Sequence, residues 1–250
     1  MITRAELFCI LVVLALIGAC SKKKEDPTPI TSAIEPEVKT VSGFFHFQYY
    51  FEGKPLQFDS IFTNSRGQKF KFDTISFFLS DLVLIKENGA KVLVNSNPVF
   101  ENHVTNSSQN LTMKNVPVGD YMGVSFSLGL NSERNKVPTF GSESDFMRYK
   151  EKSNGYGFLL ISAHLVSEPS TRLKYTIGTN ELLRKVSLPL KPFTVFEGQP
   201  YFFHYNVDLA PLLHSVNFDT DGYTDSIENK SLALSIADNI PKIFSYGTHH

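Results

Sequence analysis

Residues 72–94, FDTISFFLSDLVLIKENGAKVLV, constrain this chain more than any other stretch. They open on a run of apolar and β-branched residues too continuous for a strand with one wet face. Leu82 and Leu84 then alternate with Val83 and Ile85, the pattern breaks at Asn88-Gly89, and Val92, Leu93 and Val94 resume it. Asn-Gly between two β-rich runs signals a tight hairpin whose two central residues both need positive φ. The expectation is a long central strand, a two-residue turn and a partner strand.

The N-terminus reads as an address. Arg4 supplies a positive charge, Leu7 to Ala19 is a thirteen-residue apolar run, and Cys20 closes it. That run is short of the ~20 residues a membrane span needs, but it suits the core of a signal peptide. Ile17-Gly18-Ala19-Cys20 resembles a bacterial lipobox, in which the cysteine thiol is acylated and becomes the new N-terminus. The expected division is therefore a signal peptide over 1–19, a lipidated Cys20 with a flexible tether over 20–41, and a domain over 42–250. The tether reading rests on Lys22, Lys23 and Lys24, followed by Pro27, Pro29 and Pro36, with no hydrophobic period. The sequence has two cysteines, Cys9 and Cys20. With Cys9 cleaved and Cys20 acylated, no thiol is left for a nucleophile, a thiolate metal site or a disulfide. An acyl anchor makes the membrane a partner and places the domain outside the cytoplasm, facing the periplasm or the cell surface.

From residue 42 onward short aromatic and β-branched runs are separated by Gly, Pro, Asn and Asp. Phe numbers 22 and Tyr 10, and Trp is absent. Phe45, Phe47, Tyr49 and Phe51 alternate with His46 and Gln48, so one face of that strand is apolar. Further strands are expected at 121–130, 156–166, 173–177, 186–190 and 201–207, and Ser231 to Ile236 is compatible with another. Residues 142–152 are the best helix candidate, with Ser142 or Ser144 as N-cap, and a helical turn is expected at 208–214. The fold class that follows is all-β: a two-sheet antiparallel β-sandwich with one or two short helices. A closed barrel is the alternative.

The net charge of −1, with dispersed Lys and Arg, leaves no footprint for nucleic acid. No G-x-S-x-G elbow, P-loop, G-x-G-x-x-G or HExxH occurs, which argues against an enzyme. Two sets of candidate metal ligands remain. Among seven histidines, His46, His164 and His204 fall on expected strands, and imidazole nitrogens suit copper or zinc. The second set is Asn217, Asp219, Asp221, Tyr223, Asp225 and Glu228, spaced as in an EF-hand loop. Such a loop binds Ca²⁺ because oxygens at alternate positions wrap one ion, Gly222 makes the sharp turn, and Glu228 closes the shell bidentately.

The segments GFFHFQYYFEGKPLQF, ISFFLSDLVLIKENG, VPVGDYMGVSFSLGLNSERN and IADNIPKIF are similar to the MbnP-like family. The resemblance implies an extracytoplasmic protein, and many members are lipoproteins. It also implies copper, which the family's copper-binding members hold through histidines and a tryptophan, in some cases oxidised to kynurenine. Members often carry a histidine near the positions of Tyr49 and Thr176, and a Trp-rich segment where this chain reads FMRYKEKSN. Without Trp a kynurenine ligand is impossible here. The expected function is a lipid-anchored, non-catalytic binding protein, with copper as first candidate ligand and a structural calcium loop. The alternative is a cell-surface interaction module for glycan or protein.

Overall fold

The computed structural model describes residues 38–95, 98–103, 110–136, 147 and 155–247. The leader, Cys20 and the tether up to residue 37 lie outside the described residues, as does the expected helix at 142–152 apart from Met147, which is buried. Strands come in chain order as β1 (Thr40–Phe51), β2 (Lys54–Pro55), β3 (Phe62–Thr63) and β4 (Lys69–Ile85). β5 (Lys91–Asn95), β6 (Val99–His103), β7 (Asn110–Pro117), β8 (Gly119–Tyr121) and β9 (Gly123–Leu128) follow. The second half supplies β10 (Gly157–Leu165), β11 (Arg172–Gly178), β12 (Arg184–Ser187), β13 (Phe193–Val195), β14 (Tyr201–Asp208), β15 (Tyr223–Thr224) and β16 (Phe244–Tyr246). Among the described residues two α-helices interrupt the end of this order, α1 (Ala210–Leu213) and α2 (Lys230–Asn239).

β4 is the hub. One of its edges carries β10 and then β9, and the other carries β3, β6 and β5. A strand covered on both faces and both edges must be apolar throughout, and Ile75 to Leu82 is buried at every position except Asp81. Asp81 sits at φ 51, and the registers with β5 and β9 both slip between Ser80 and Val83. This bulge bends the strand, so its two halves serve different neighbours.

The hairpin after β4 is present, with a different turn. Gly89 alone among the turn residues has positive φ, and Lys86 N–H donates to the Ala90 carbonyl at 2.9 Å. The loop is thus Glu87-Asn88-Gly89. Asn88 stays right-handed and its side chain accepts from the Ala90 N–H at 3.0 Å. A three-residue loop with Gly in the left-handed position replaces the expected two-residue turn.

Two main sheets form the core, as the fold class requires: five strands around β1 and nine around β4. They are not wholly antiparallel, because β1 runs parallel to β14 and β11 parallel to β15. Alternation along β1 is as expected, with Phe45, Phe47 and Tyr49 buried and matched in register by Phe203, Tyr205 and Val207. The sheets meet through aromatic edges. Phe47 packs on Phe77 at 5.5 Å with planes 84° apart, and Phe126 on Phe244 at 5.1 Å and 86°.

The stretch 231–236 is helical, not a strand. Leu232, Ala233, Ile236 and Ala237 are the buried positions of α2, a spacing that lines one helical face. Asn229, left-handed at φ 54, caps α2 by accepting from the Leu232 N–H. The helical turn expected near 210 is α1. No helix among the described residues is long and apolar enough to cross a membrane.

Candidate metal centre

Tyr49, on the inner face of β1, looks across at β6. Its hydroxyl donates to Glu101 Oε1 at 2.9 Å, and its ring stacks on the His103 imidazole at 4.2 Å with planes 17° apart. Phe58 covers the same imidazole at 5.0 Å. Glu101 and His103 are two residues apart, so the pleat puts both side chains on one face of β6. That face is the core side: Glu101 is 1% exposed and His103 6%.

Burial decides their protonation. Loss of water pushes the Glu101 carboxyl up from 4.5 to about 7, although the Tyr49 hydroxyl pulls it partly back. The same desolvation lowers the His103 imidazole from 6.5 to about 4, so it is neutral at physiological pH. Tyr49 is held well above its ordinary value, by burial first and by the carboxylate beside it second. Glu101 Oε2 and His103 Nδ1 have no hydrogen-bond partner. Buried polar atoms are nearly always paired, so two such atoms in one cluster need a reason.

That cluster was not singled out from sequence. His103 was one histidine among seven, and Glu101 one acidic residue among twenty-five. The available signal was the run VFENH, where Glu and His alternate within a β-rich segment and so share a face. Only the pairing of β6 with β4, Phe77 opposite Glu101 and Ile75 opposite His103, shows which face is buried.

Of the histidines expected to converge, two meet. His46 and His204 are register partners on the parallel β1–β14 pair, with ring centroids 5.4 Å apart on the outer face. His164 is on β10 of the other sheet, where its Nδ1 lies 2.8 Å from Asp73 Oδ1 and Arg172 binds the other carboxylate oxygen at 2.9 Å. The contact with Asp73 occupies His164, away from the other two histidines.

The structure gives the calcium reading no support. Gly222 does not take the left-handed conformation that the EF-hand turn requires. Tyr223 and Thr224 form β15 against β11. Three of the loop oxygens accept hydrogen bonds within the protein: Asn217 Oδ1 from the Asp219 N–H at 3.2 Å and Asp221 Oδ1 from Asn229 at 3.3 Å. Asp225 Oδ1 accepts from the Ile227 and Glu228 N–H groups at 3.1 and 2.8 Å. Among the described residues, no group of three or more His, Cys, Asp or Glu side chains is placed to hold a metal ion. The loop's spacing serves a turn and the entry to α2, and the Tyr49 phenol is the third group beside Glu101 and His103.

Fold and site together define a two-sheet β protein with a phenol, a carboxyl and an imidazole enclosed between its sheets. The chain belongs to the MbnP family: the family model, described as MbnP, matches residues 42–230. Among solved structures it is similar to MbnP from Methylosinus trichosporium, with a TM-score of 0.53 and 13% identity over 72% of this chain and 80% of that one. At that identity the likeness is one of fold. No curated protein matches the sequence.

Proposed function

We propose that this chain is a lipid-anchored, extracytoplasmic, non-catalytic metal-binding protein, with copper as its ion and Glu101 and His103 as its principal ligands. The observation that carries the reading is the pair of orphaned buried atoms, Glu101 Oε2 and His103 Nδ1. A neutral imidazole nitrogen and a carboxylate oxygen are both donors that copper accepts. Tyr49 orients the carboxylate through its hydrogen bond and fixes the imidazole plane by stacking. Tyr49 also stands near a position where family members often carry a histidine, and the His103 imidazole stacks on its ring. Family membership supports the copper assignment, and the leader ending in Cys20 supports the anchor.

A second site is favoured by the 5.4 Å pairing of His46 with His204. It is half-buried and has two imidazoles, which suits loose binding. Titration of the purified protein with Cu(I) and Cu(II) separates the two. The expected result is one stoichiometric site that disappears in the double variant Glu101→Gln, His103→Ala. It should persist when His46, His164 and His204 are replaced together. A stoichiometric site indifferent to the first double variant would overturn the assignment.

A further inference from the structure

His46 and His204 are register partners on the parallel strands β1 and β14, and Phe44 and Phe202 are the partners two residues before them. Position parity puts all four side chains on the outer face, opposite to the core-facing Phe45, Phe47, Phe203 and Tyr205. The phenyl pair stacks at 5.2 Å with planes 22° apart. The imidazole pair stands at 5.4 Å with planes 53° apart, so its rings are tilted and not stacked.

That spacing suits one shared ion. Zinc binds an imidazole nitrogen at about 2.0–2.1 Å, which puts the ring centre about 3.2 Å from the metal, and two rings at a tetrahedral angle then stand about 5.2 Å apart. A right angle, as in square-planar copper(II), needs about 4.5 Å, and a linear arrangement about 6.4 Å. The observed 5.4 Å lies closest to the tetrahedral value. Neighbouring strands are about 4.7–4.9 Å apart, so rotation about the side-chain bonds is enough to turn a nitrogen of each ring toward a common point.

The surroundings favour a cation. Among the outward residues of β1 from Phe44 to Tyr50 and of β14 from Phe202 to Asp208 there is no Lys or Arg, and the one fixed charge is the Asp208 carboxylate. Gly247, whose N–H bonds to the His204 carbonyl at 2.8 Å, brings no side chain over the imidazole, where a Cβ would stand 3.3 Å from His204 Cβ. Among the described residues no third His, Cys, Asp or Glu joins the pair, so the rest of a tetrahedral shell is left to water.

We infer that His46 and His204 form a zinc site on the outer face of β1 and β14, each giving one nitrogen and water completing the shell. The inference rests on the second metal site offered above and names its ion, which differs from the copper assigned to Glu101 and His103.

Calorimetric titration of metal-free protein with Zn²⁺ is the test, with Co²⁺ as a spectroscopic stand-in. Expected are one Zn²⁺ per chain, half-saturation below ~1 mM, and the strong visible absorption of tetrahedral Co²⁺. His46→Ala and His204→Ala should each weaken Zn²⁺ at least tenfold, and His204→Gln, which keeps a polar side chain of similar length, gives the same test should the alanine variants fold poorly. His164→Ala should change nothing, and neither should removal of His249 and His250. Glu101→Gln with His103→Ala should also leave Zn²⁺ binding intact, so this site and the copper assignment fail separately. No saturation by ~1 mM, undiminished binding in a folded His46 or His204 variant, loss of binding on removing His249 and His250, or the faint absorption of six-coordinate Co²⁺ would overturn the inference.

Discussion

Replacing Glu101 with Gln keeps the side chain's shape and its acceptor for the Tyr49 hydroxyl, and removes one titration. In the folded protein this carboxyl holds its proton up to about 7, against 4.5 in the unfolded chain. Stability from that proton is complete below 4.5 and is lost as pH rises through about 7. That span, at about 1.4 kcal/mol per pH unit, amounts to about 3 kcal/mol. His103 works in the opposite direction. Folding lowers it from 6.5 to about 4, so its contribution is lost as pH falls through that interval. Between 4.5 and 6.5 the folded pair holds one proton, on Glu101, and the unfolded chain also holds one, on His103. The two slopes cancel for this pair in the wild type. Gln removes only the first slope. The variant's advantage over wild type should thus be small near pH 4.5 and grow to about 3 kcal/mol above pH 7. Urea unfolding of metal-free protein from pH 4 to 8 at constant ionic strength measures it. A difference between variant and wild type that does not change with pH would show that Glu101 titrates like an exposed carboxyl, and the desolvation argument would fail.

Three further outcomes are expected. Cys20→Ser should release the protein from the membrane fraction, assayed by fractionation, and retention of an uncleaved form would leave a plain membrane anchor instead of a lipobox. Asp225→Ala should cost about 1 kcal/mol in urea unfolding by freeing two backbone donors, and the loss should be the same with calcium or with chelator, because the oxygen serves a turn and not an ion. Phe47→Ala should cost about 3–5 kcal/mol, since Phe47 bridges the two sheets on Phe77 and Phe244. A loss below about 1 kcal/mol would mean that the inter-sheet packing is looser than the edge-to-face geometry implies.

Local pattern carried much of this protein. The period-2 alternation from Phe45 to Phe51, the continuous apolar run of β4 and the break at Asn88-Gly89 place strands and a hairpin, because side-chain direction in a strand depends only on position parity. The same local signatures carry the family. Where the code was local but ambiguous, the surroundings chose. Residues 231–236 have apolar positions that fit either period, and packing beside α1 and β11 settled on a helix. The acidic loop at 217–228 has the right spacing for calcium, and its middle pairs with β11 as a two-residue strand. Pairings between strands that do not follow one another in the chain were not legible at all. β1 lies parallel to β14, which puts His46 beside His204 and strands His164 on the other sheet. β6 lies on β4 facing β1, which encloses Glu101 and His103 against Tyr49. A sequence states what each residue is and which way it points relative to its neighbours. Whether that side meets water or the opposite sheet is set by long-range strand order, and for Glu101 and His103 that order decides both their charge and their candidacy as ligands.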